Sequence, residues 1–572
     1  MSPTEIPVQH VNGEPLTETQ RQYLDGYFSG LAASGLRFSD VEPLPAAGKK
    51  VSLDDLIFEE RVKHELHPLD AYDQIIENAV NNKAPDKEEI FRFKWNGLFF
   101  LSPNKEAFMS RLRIPGGLLK TFQLRELANV AKELTTGYVQ ITTRANLQMR
   151  LIQPKDCPEF LRRVQTVGLH TRGAGADNIR NLTANPTAGI DPHELIDVMP
   201  FCRELGQIII NDRSFYDLPR KFNIAYDGGG LIGTVEDTND IGARAVKVGE
   251  EILFRIALGG ATGHKAFARD LDVLVKPAEL NKVVVALTRV YIANGNRTDR
   301  KKARLKHLLE TWSLEKYLAE TEKLLGCQLQ RAPAGQLETR NSKLETSHTH
   351  IGVYPQKQKG FNYVGVAIPV GQLTSKQMIR LAEIAELYGS AEVRLTVWQN
   401  LIIPNVPDAF VSTVEKAVRK LGFDTRQSHL RGGLIACTGN SYCKFAQVNT
   451  KGHAIELANH LEKKITLDQP INIHLTGCPN SCAQHYMGDI GLLGTKVRGE
   501  DGYHVFVGGG FGARQAVGRQ VFTGVTATEL PSLLEKMLRA YLRHRAAGQS
   551  FQAFTGQHDL KRLQEIFDEV SA

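Results

Sequence analysis

Early in the chain the apolar positions change their spacing several times, and each spacing predicts a different element. Apolar side chains dominate 93–101 and recur over 109–114, which predicts two strands. Pro115-Gly116-Gly117 predicts a turn, and apolar residues at helical spacing follow over 119–134. Residues 138–144 alternate between apolar and polar, as a half-buried strand does. This region therefore predicts a layer in which strands and a helix alternate.

The same pattern returns in the second half of the chain. Ile114-Pro115-x-Gly117 is matched without a gap by Ile368-Pro369-x-Gly371. At the same offset the match continues in Gln123 and Gln377, Leu127 and Leu381, Val139 and Val393, Thr142 and Thr396, Asn146 and Asn400, and Gly168 and Gly422. A second echo pairs Asp240-Ile241-Gly242 with Asp489-Ile490-Gly491. We therefore predict an internally duplicated α+β protein, each half being a strand-helix-strand layer followed by a larger α+β region.

These patterns also predict domain boundaries. The polar segment 331–350, rich in Gly, Ser, Thr and Asn, is the expected linker between the halves. The other predicted segments are an N-terminal arm over 1–89 with a short helix near 20–28, a first layer over 90–160, a first larger domain over 161–330, a second layer over 351–420 and a second larger domain over 421–572.

The composition is that of an ordinary soluble protein, with 42% hydrophobic and 23% charged residues. No apolar run approaches the length of a membrane span. The N-terminal segment lacks an export pattern, and Glu5, Glu14 and Glu18 argue against a transit peptide. We therefore expect a cytoplasmic protein of a prokaryote, a monomer without a membrane or nucleic-acid partner.

The charge leaves two interpretations open. A net charge of +7 favours anionic substrates or an acidic protein partner, but a mildly basic surface without that meaning explains it equally well. A basic run over 296–306 predicts a helix. Its cations either form a solvated face or bind the carboxylates of a cofactor or an acidic partner.

The cysteines are unevenly distributed. Four of the seven form two close pairs, Cys437 with Cys443 and Cys478 with Cys482. The five-residue gap in the first pair fits zinc poorly, and disulfides are typical of exported proteins. Loops rich in Gly and Asn can turn their amides toward the sulfides of an iron-sulfur cubane, so the spacing favours that cluster over zinc or buried thiols.

The two cysteine motifs together resemble the signature of the siroheme-containing nitrite and sulfite reductases. That signature is Cys437-x5-Cys443 followed by Thr476-Gly477-Cys478-Pro479-Asn480-Ser481-Cys482-x-Gln484. The resemblance implies a pseudo-twofold pair of ferredoxin-like half domains, each followed by a larger nitrite/sulfite reductase domain. It also implies that the four cysteines bind a [4Fe-4S] cluster and that Cys482 bridges this cluster to the siroheme iron.

The resemblance also implies a substrate pocket formed by the first half. Its candidate catalytic residues are Arg111, Arg180, Lys221 and Asn223. In a strand, Lys221 and Asn223 would face the same side. Sulfite reductases carry lysine at both positions, whereas nitrite reductases resemble the Lys-x-Asn found here. Because sulfite carries more negative charge than nitrite, the neutral Asn223 favours nitrite.

Other matches concern the siroheme carboxylates and macrocycle. The resemblance implies that Arg144 and Gln148 contact the macrocycle and that Lys357 lies near the cofactor. The repeat has Trp398 in place of Arg144. Ala176 leaves no cysteine for the Tyr-Cys cross-link of some sulfite-reducing relatives. The remaining cysteines, Cys157, Cys202 and Cys327, are interpreted as core thiols. Gly508-Gly509-Gly510 lacks a full nucleotide fingerprint, and its counterpart at Gly259-Gly260 indicates a structural bend.

The expected activity is the six-electron reduction of nitrite to ammonium. The alternative is the reduction of sulfite to sulfide with the same cofactors. No FAD or NAD(P)H domain is visible in the sequence, so we expect a separate carrier, reduced ferredoxin or flavodoxin, to deliver the electrons. An acidic carrier of this kind suits a basic chain.

Overall fold

The computed structural model describes His10, Val11, Glu14, Pro15, Glu18, Arg21 and residues 56–101, 106–332, 350–426 and 429–569. The chain forms two compact units, Met1–Ser52 and Leu53–Ala572. In the first unit, His10–Val11 pairs antiparallel with Glu14–Pro15. The helix predicted near 20–28 lies outside the described residues apart from Arg21, as does most of the predicted linker.

Two five-stranded sheets in the second unit correspond to the two predicted layers. In order across the first sheet, the strands are Gln372–Thr374, Tyr138–Ile141, Leu147–Ile152, Phe108–Arg111 and Leu98–Phe100. Across the second sheet they are Gly352–Pro355, Phe361–Val366, Leu401–Pro407, Glu392–Leu395 and Leu118–Lys120. One edge strand of each sheet therefore comes from the other half of the chain.

The exchange of edge strands is reciprocal. Leu373 lies opposite Val139 in the first sheet, and Leu119 lies opposite Val393 in the second. All four side chains are fully buried. Each exchanged strand comes between the turn and the helix of its own half. Separating the halves would therefore leave an unpaired apolar edge on both sheets.

Amphipathic helices cover the two layers. They are Thr121–Leu134, Cys157–Thr166, Ser375–Tyr388 and Val411–Lys420. In the first helix, Leu124, Leu127 and Ala131 recur at helical spacing and are buried. Thr374 begins the equivalent helix of the second layer with a capping box, in which it and Gln377 bond each other's backbone N–H groups.

A larger sheet follows each layer. Across the first, the strands are Gln330–Arg331, Arg269–Val275, Glu251–Leu258, Ile241–Val248, Ile224–Asp227 and Thr183–Ala184. Across the second, they are Leu434–Ala436, Ile473–Thr476, Ile490–Val497, Glu500–Val507 and Arg519–Thr526. The register repeats as well, since Ile241 faces Leu258 and Ile490 faces Val507 at equivalent positions. The predicted duplication and the α+β class are confirmed.

Each larger sheet has its own helices and its own apolar core. The first core includes residues of Met199–Asn211, Leu280–Asn294, Leu305–Thr311 and Leu314–Leu325. The second includes residues of Thr450–Lys464, Leu530–His544, Phe551–Gly556 and Leu560–Asp568. Among the described residues, no helix has both the length and the apolar character needed to cross a bilayer.

The glycine runs form tight bends. A Cβ atom on Gly260 would lie 2.5 Å from the carbonyl oxygen of Asn239. A Cβ atom on Gly509 would lie equally close, 2.5 Å, to the carbonyl oxygen of Gly488. Any larger residue at either position would collide with backbone, which explains the glycines without a nucleotide.

Two local predictions are wrong. Phe93–Asn96 is a 3-10 helix, and the strand begins only at Leu98. The indole N–H of Trp95 donates to the carbonyl of Tyr216 at 2.8 Å, so this aromatic segment is fixed by a contact distant in sequence. Cys157 and Cys202 are buried as predicted, but Cys327 is exposed because it follows the left-handed Gly326 that ends helix Leu314–Leu325.

The prediction of a helix over the whole basic run 296–306 is also wrong. It contains the 3-10 turn Arg300–Lys302, and a helix begins only at Leu305. Three of its arginines are instead paired with acids distant in sequence: Arg297 with Glu60 and Asp217, Arg300 with Glu59 and Asp177, and Arg304 with Asp240. Three arginines of the run therefore bind carboxylates elsewhere in the chain, whereas Lys301 and Lys302 are exposed.

The described part of the predicted N-terminal arm is helical from residue 58. Its helices are Phe58–Glu65, Tyr72–Val80 and Lys87–Arg92. Lys63 is buried, and its ammonium lies 2.7 Å from Glu60 and 2.9 Å from Asp217. This ion-pair cluster attaches the first helix to the first larger domain.

Candidate active site

The two cysteine pairs lie at one edge of the second larger sheet. Cys437 follows strand Leu434–Ala436, and Cys478 lies just after the neighbouring parallel strand, Ile473–Thr476. The N–H of Gly477 donates to the Sγ of Cys437 at 3.2 Å, which joins the two loops directly. Because parallel strands end at the same edge of a sheet, the topology brings residues that are far apart in sequence to one place.

The four thiols are close enough to influence one another. Burial, together with negative charge on Cys482, Cys443 and Cys437, raises the pKa of Cys478 to about 11. Burial also raises the pKa of Cys437, against the amide N–H groups of Gly439 and Gly477 that lower it. Binding of a metal group must therefore deprotonate these thiols. Among the described residues, no three His, Cys, Asp or Glu side chains are placed to hold a single metal ion.

Cations from the first half of the chain face Cys482. Burial lowers the pKa of Arg111, Arg144 and Lys221, and the negative charge of Cys482 acts in the opposite direction on all three, so each lies within electrostatic range of that sulfur. The hydroxyl of Thr143 donates to the backbone carbonyl of Cys482 at 3.1 Å. The predicted cationic residues of one half and the predicted sulfur ligands of the other therefore converge.

The backbone positions two of these arginines. Arg111 ends strand Phe108–Arg111, its guanidinium carbon lies 4.6 Å from the ring centroid of Phe99, and its buried Nε has no hydrogen-bond partner. Arg180 donates to the carbonyls of Ala174 and Ala176 at 2.7 and 2.8 Å. Burial and the charge of Arg111 hold the pKa of Arg180 well below its ordinary value, as expected when cations are brought together.

Lys221 and Asn223 lie immediately before strand Ile224–Asp227 rather than within a strand. Phe222 between them is fully buried and stacks on Tyr291, with ring centroids 5.0 Å apart. Asn223 is 3% exposed, and its side-chain oxygen has no hydrogen-bond partner. Phe222 enters the core, so its two neighbours can face the other way even though the segment is not part of a strand.

A buried ion pair fixes this segment. The carboxylate of Asp240 accepts the backbone N–H of Asn223 at 2.9 Å, and Arg304 donates to the same carboxylate at 2.7 Å. Asp240 is fully buried and Arg304 is 5% exposed. Sequence reasoning missed this pair, although Asp240 lies in the repeated Asp-Ile-Gly motif and Arg304 in the basic run.

The same arrangement affects Lys221. Burial and the positive charges of Arg304, Arg180 and Arg144 together lower its pKa to about 7, while Cys482 acts in the opposite direction. A lysine with a pKa near neutrality can release and take up a proton at physiological pH.

Arg144 and Gln148 lie on the same side of the first layer. Arg144 donates to the side-chain oxygen of Asn239 at 3.1 Å. Gln148 lies opposite Arg111 in the antiparallel ladder and accepts a hydrogen bond from Arg150 at 2.7 Å. Arg150, which sequence reasoning did not select, is 1% exposed and also donates to Thr438, next to Cys437, at 2.8 Å.

Lys357 is not brought into this group. It is exposed, and its ammonium lies 2.6 Å from the carboxylate of Glu194. No hydrogen bond, ion pair or charge interaction of the described residues links it to a cysteine loop or to the cations above. Its predicted cofactor contact therefore has no support in this structure.

The group as a whole is suited to anionic ligands. Arg111, Arg144, Arg150 and Lys221 have no carboxylate within salt-bridge distance among the residues that the structure describes. Buried cations without counter-charges are costly, so such a set indicates a bound anion. A cluster held by thiolates, a tetrapyrrole with carboxylate side chains and a small oxyanion are all negatively charged, and the residues present fit all three.

Comparisons with protein families agree with this geometry. Residues 175–329 and 431–571 match the nitrite and sulphite reductase 4Fe-4S domain. Residues 102–167 and 354–421 match the nitrite/sulfite reductase ferredoxin-like half domain. The chain belongs to the nitrite and sulphite reductase family. Each domain type of this family occurs twice, in the order expected from the duplication.

Individual relatives cover nearly the whole chain. A ferredoxin--nitrite reductase of Synechococcus elongatus is 36% identical over 84% of this chain and 95% of that protein. A ferredoxin--nitrite reductase of Leptolyngbya laminosa is 37% identical over 78% of this chain and 89% of that protein. Among solved structures of the family, the Mycobacterium tuberculosis NirA protein covers 89% of this chain and 97% of its own, with a TM-score of 0.82 and 29% identity.

Proposed function

We propose that this chain reduces nitrite to ammonium with electrons from reduced ferredoxin, using siroheme and a [4Fe-4S] cluster. The observation that carries the proposal is the convergence of Arg111, Arg144 and Lys221 of the first half on Cys482 of the second. A cationic pocket beside four thiols is what reduction of a small oxyanion requires. The named relatives of similar length are ferredoxin--nitrite reductases.

The four cysteines at 437, 443, 478 and 482 are the proposed cluster ligands, and Cys482 is the proposed link to siroheme. When bound, these cofactors supply single electrons and a coordination position for the substrate. The N–H of Gly477, which donates to the Sγ of Cys437, would stabilise thiolate charge in the loaded protein. Arg144 and Gln148 are the proposed contacts of the tetrapyrrole.

The residues of the first half bind the anion and provide protons. Arg111 and Arg180 offset the charge of nitrite, and Lys221, with its pKa near 7, delivers protons to the oxygens that leave as water. The complete reaction consumes six electrons and eight protons and yields ammonium and two water molecules. The arginines stay charged throughout, because a guanidinium is not deprotonated near neutral pH in proteins.

Asn223 is the proposed selectivity residue. Its backbone is fixed by Asp240, and its unpartnered side-chain oxygen shows that the amide is not consumed by internal contacts. A neutral amide at this position suits singly charged nitrite, whereas a second lysine would favour sulfite. Ferredoxin as a separate donor, a monomeric state and a cytoplasmic location complete the proposal.

A paired assay tests this function. Turnover of nitrite and of sulfite is measured with one artificial reductant, for the unaltered protein, Asn223→Lys and Asn223→Leu. We expect the unaltered protein to prefer nitrite and Asn223→Lys to shift the kcat/KM ratio toward sulfite by about tenfold or more. Asn223→Leu removes the amide without adding charge, so it should lose activity without that shift.

Two results would contradict the proposal. A preference of the unaltered protein for sulfite would reverse the substrate assignment. A visible spectrum of iron-replete protein without a Soret and a red-region band would reject the siroheme assignment altogether.

A further inference from the structure

Arg150 is a buried cation with only neutral partners. It is 1% exposed and lies in strand Leu147–Ile152 of the first layer. Its guanidinium donates to the side-chain oxygens of Gln140, Gln148 and Thr438 at 2.7 to 2.8 Å. The guanidinium carbon also lies 5.3 Å from the ring centroid of Tyr442. Two of these contacts are to the loop 437–443, one beside each of its cysteines.

Lys451 approaches the same loop from the opposite half of the chain. It is 9% exposed and lies in the first turn of helix Thr450–Lys464. Its ammonium donates to the backbone carbonyl of Val370 and, at 3.4 Å, to that of Ala436, the residue before Cys437. The preceding residue, Thr450, donates to the carbonyl of Cys437 at 2.8 Å. Lys451 therefore lies behind the loop whose other contacts are to Arg150.

Neither cation has a counter-ion. Among the described residues, no carboxylate lies within salt-bridge distance of Arg150 or Lys451, and the positive charge of Arg150 helps to lower the pKa of Lys451. Burial is the main cause that lowers the pKa of Arg150 to about 10 and that of Lys451 to about 7. A buried charge without compensation is strongly destabilising, because it has lost its hydration. A compensating negative group beside Cys437 and Cys443 is therefore needed.

We propose that Arg150 and Lys451 are the counter-cations of the iron-sulfur cluster and raise its reduction potential. The inference builds on the cluster assignment of the proposed function. A cubane bound by four thiolates is anionic. When it accepts an electron from ferredoxin, it gains one more negative charge and the ferredoxin is oxidised. Fixed positive charges on two sides of the loop stabilise the reduced form more than the oxidised form. Both are positioning residues, because Arg150 bonds to Thr438 of the cysteine loop and Lys451 to Ala436 just before it.

The experiment is an EPR-monitored redox titration of the cofactor-loaded protein. Arg150→Gln keeps hydrogen-bonding capacity and removes the charge, and Lys451→Met keeps the length of the side chain. We expect both variants to lower the midpoint potential of the cluster, so that the ratio of reduced to oxidised cluster at a fixed applied potential falls about tenfold. The double variant should have the lowest potential. Arg150→Lys keeps the positive charge, so its cluster potential should lie close to that of the unaltered protein.

Arg519→Gln is the matched control. Like Lys451, Arg519 donates to backbone carbonyls, those of Thr555 and His558. No hydrogen bond or ion pair among the described residues joins it to either cysteine loop. Its loss should leave the cluster potential unchanged even if the protein becomes less stable. This control separates a charge effect from general damage to the fold.

Unchanged cluster potentials in Arg150→Gln and Lys451→Met, at full iron content, would overturn the proposal. If the Arg150→Gln protein does not retain its cluster, the cluster potential of Lys451→Met tests the proposal. The Lys451 ammonium donates to backbone carbonyls, so its loss should disturb the cysteine loop less. A failure of the proposed function would look different: the unaltered protein would lack siroheme bands or nitrite turnover, whereas the cluster potentials could still be compared.

Discussion

The two larger sheets have the same backbone but carry opposite chemistry. Asp240 of the first accepts the backbone N–H of Asn223 at 2.9 Å, and Asp489 of the second accepts that of Asn472 at 2.8 Å. They occupy equivalent positions of their sheets, where Asp240 is fully buried and Asp489 is half-buried. Yet the first sheet places cations at the site and the second places thiols there. The duplication thus provides two similar supports whose complementary charges meet at a single site.

The charge environment of the two aspartates differs. Asp240 is paired with Arg304, whereas no cationic nitrogen of the described residues lies within salt-bridge distance of Asp489. Burial therefore raises the pKa of Asp489 to about 6, although the N–H of Asn472 and the charge of Arg514 oppose the rise. The ion pair is present only where the adjacent segment carries Lys221 and Asn223, which need a fixed backbone.

The layers differ in the same way. The tight turns at 142–146 and 396–400 are closed by equivalent hydrogen bonds, from the Thr142 N–H to the Asn146 carbonyl at 2.8 Å and from the Thr396 N–H to the Asn400 carbonyl at 2.9 Å. Arg144 in the first turn is replaced by Trp398 in the second. Trp398 is 4% exposed and packs against Phe511, with ring centroids 5.2 Å apart. Aromatic packing therefore occupies the position where the first copy presents a guanidinium, which explains why the site is built once.

Removing the charge of Lys221 should have the largest effect on activity. If this residue supplies protons, Lys221→Met should lower kcat/KM for nitrite by about 10²- to 10⁴-fold, the usual contribution of a positioned acid. In the unaltered protein the cationic form is lost as pH rises through the pKa, about 7. Anionic cofactors favour the charged form, so activity should decline at or above that pH, and the decline should be absent in Lys221→Met.

The control for this prediction is the exposed Lys357. Lys357→Met should change neither the rate nor the pH profile, because its ammonium pairs with Glu194 outside the site. A Lys221→Met variant with nearly unaltered kcat/KM would show that the two copies do not differ in the way proposed.

The sequence predicts most of this architecture but not how the halves join, and the roles of the site residues stay predictions. Helical and alternating spacings depend on local burial, so Thr121–Leu134 and the repeated sheets were predictable. The exchange of Leu118–Lys120 and Gln372–Thr374 was not, because a three-residue strand can pair with either sheet and only tertiary contacts select one. The motif resemblance found the thiols and the pocket cations.

Residues that act through others left a weaker signal. Arg304 and Arg150 were missed because each is one basic residue among many, and its meaning depends on a partner distant in sequence. The basic run 296–306 was interpreted as one helix with a common role. In the structure its three paired arginines bind five different acids distant in sequence, an arrangement that charge patterning alone cannot predict.

Breaking the ion pair of the first copy should be the next largest effect. Arg304→Met leaves the fully buried Asp240 without its partner, and we expect a loss of about 3 to 5 kcal/mol of stability, seen as a lower Tm of the cofactor-loaded protein. Adding Asp240→Asn should recover part of this loss, because it removes the stranded charge. A Tm close to that of the unaltered protein would mean that the first copy does not need the pair.

The smallest effect, opposite in sign, is expected from Asp489→Asn in the second copy. The carboxyl has a pKa of about 6 in the folded protein and 3.8 as its ordinary value, so folding is penalised progressively as pH rises between these values. The variant should therefore be more stable than the unaltered protein above pH 6, by at most about 3 kcal/mol, and lose this advantage toward pH 4.

The same change at Asp240 should destabilise the protein at pH 7, because it deprives Arg304 of its counter-charge. The Tm of both variants at pH 4 and pH 7 measures this difference in stability. Equal changes in Tm would show that the two aspartates are in equivalent environments.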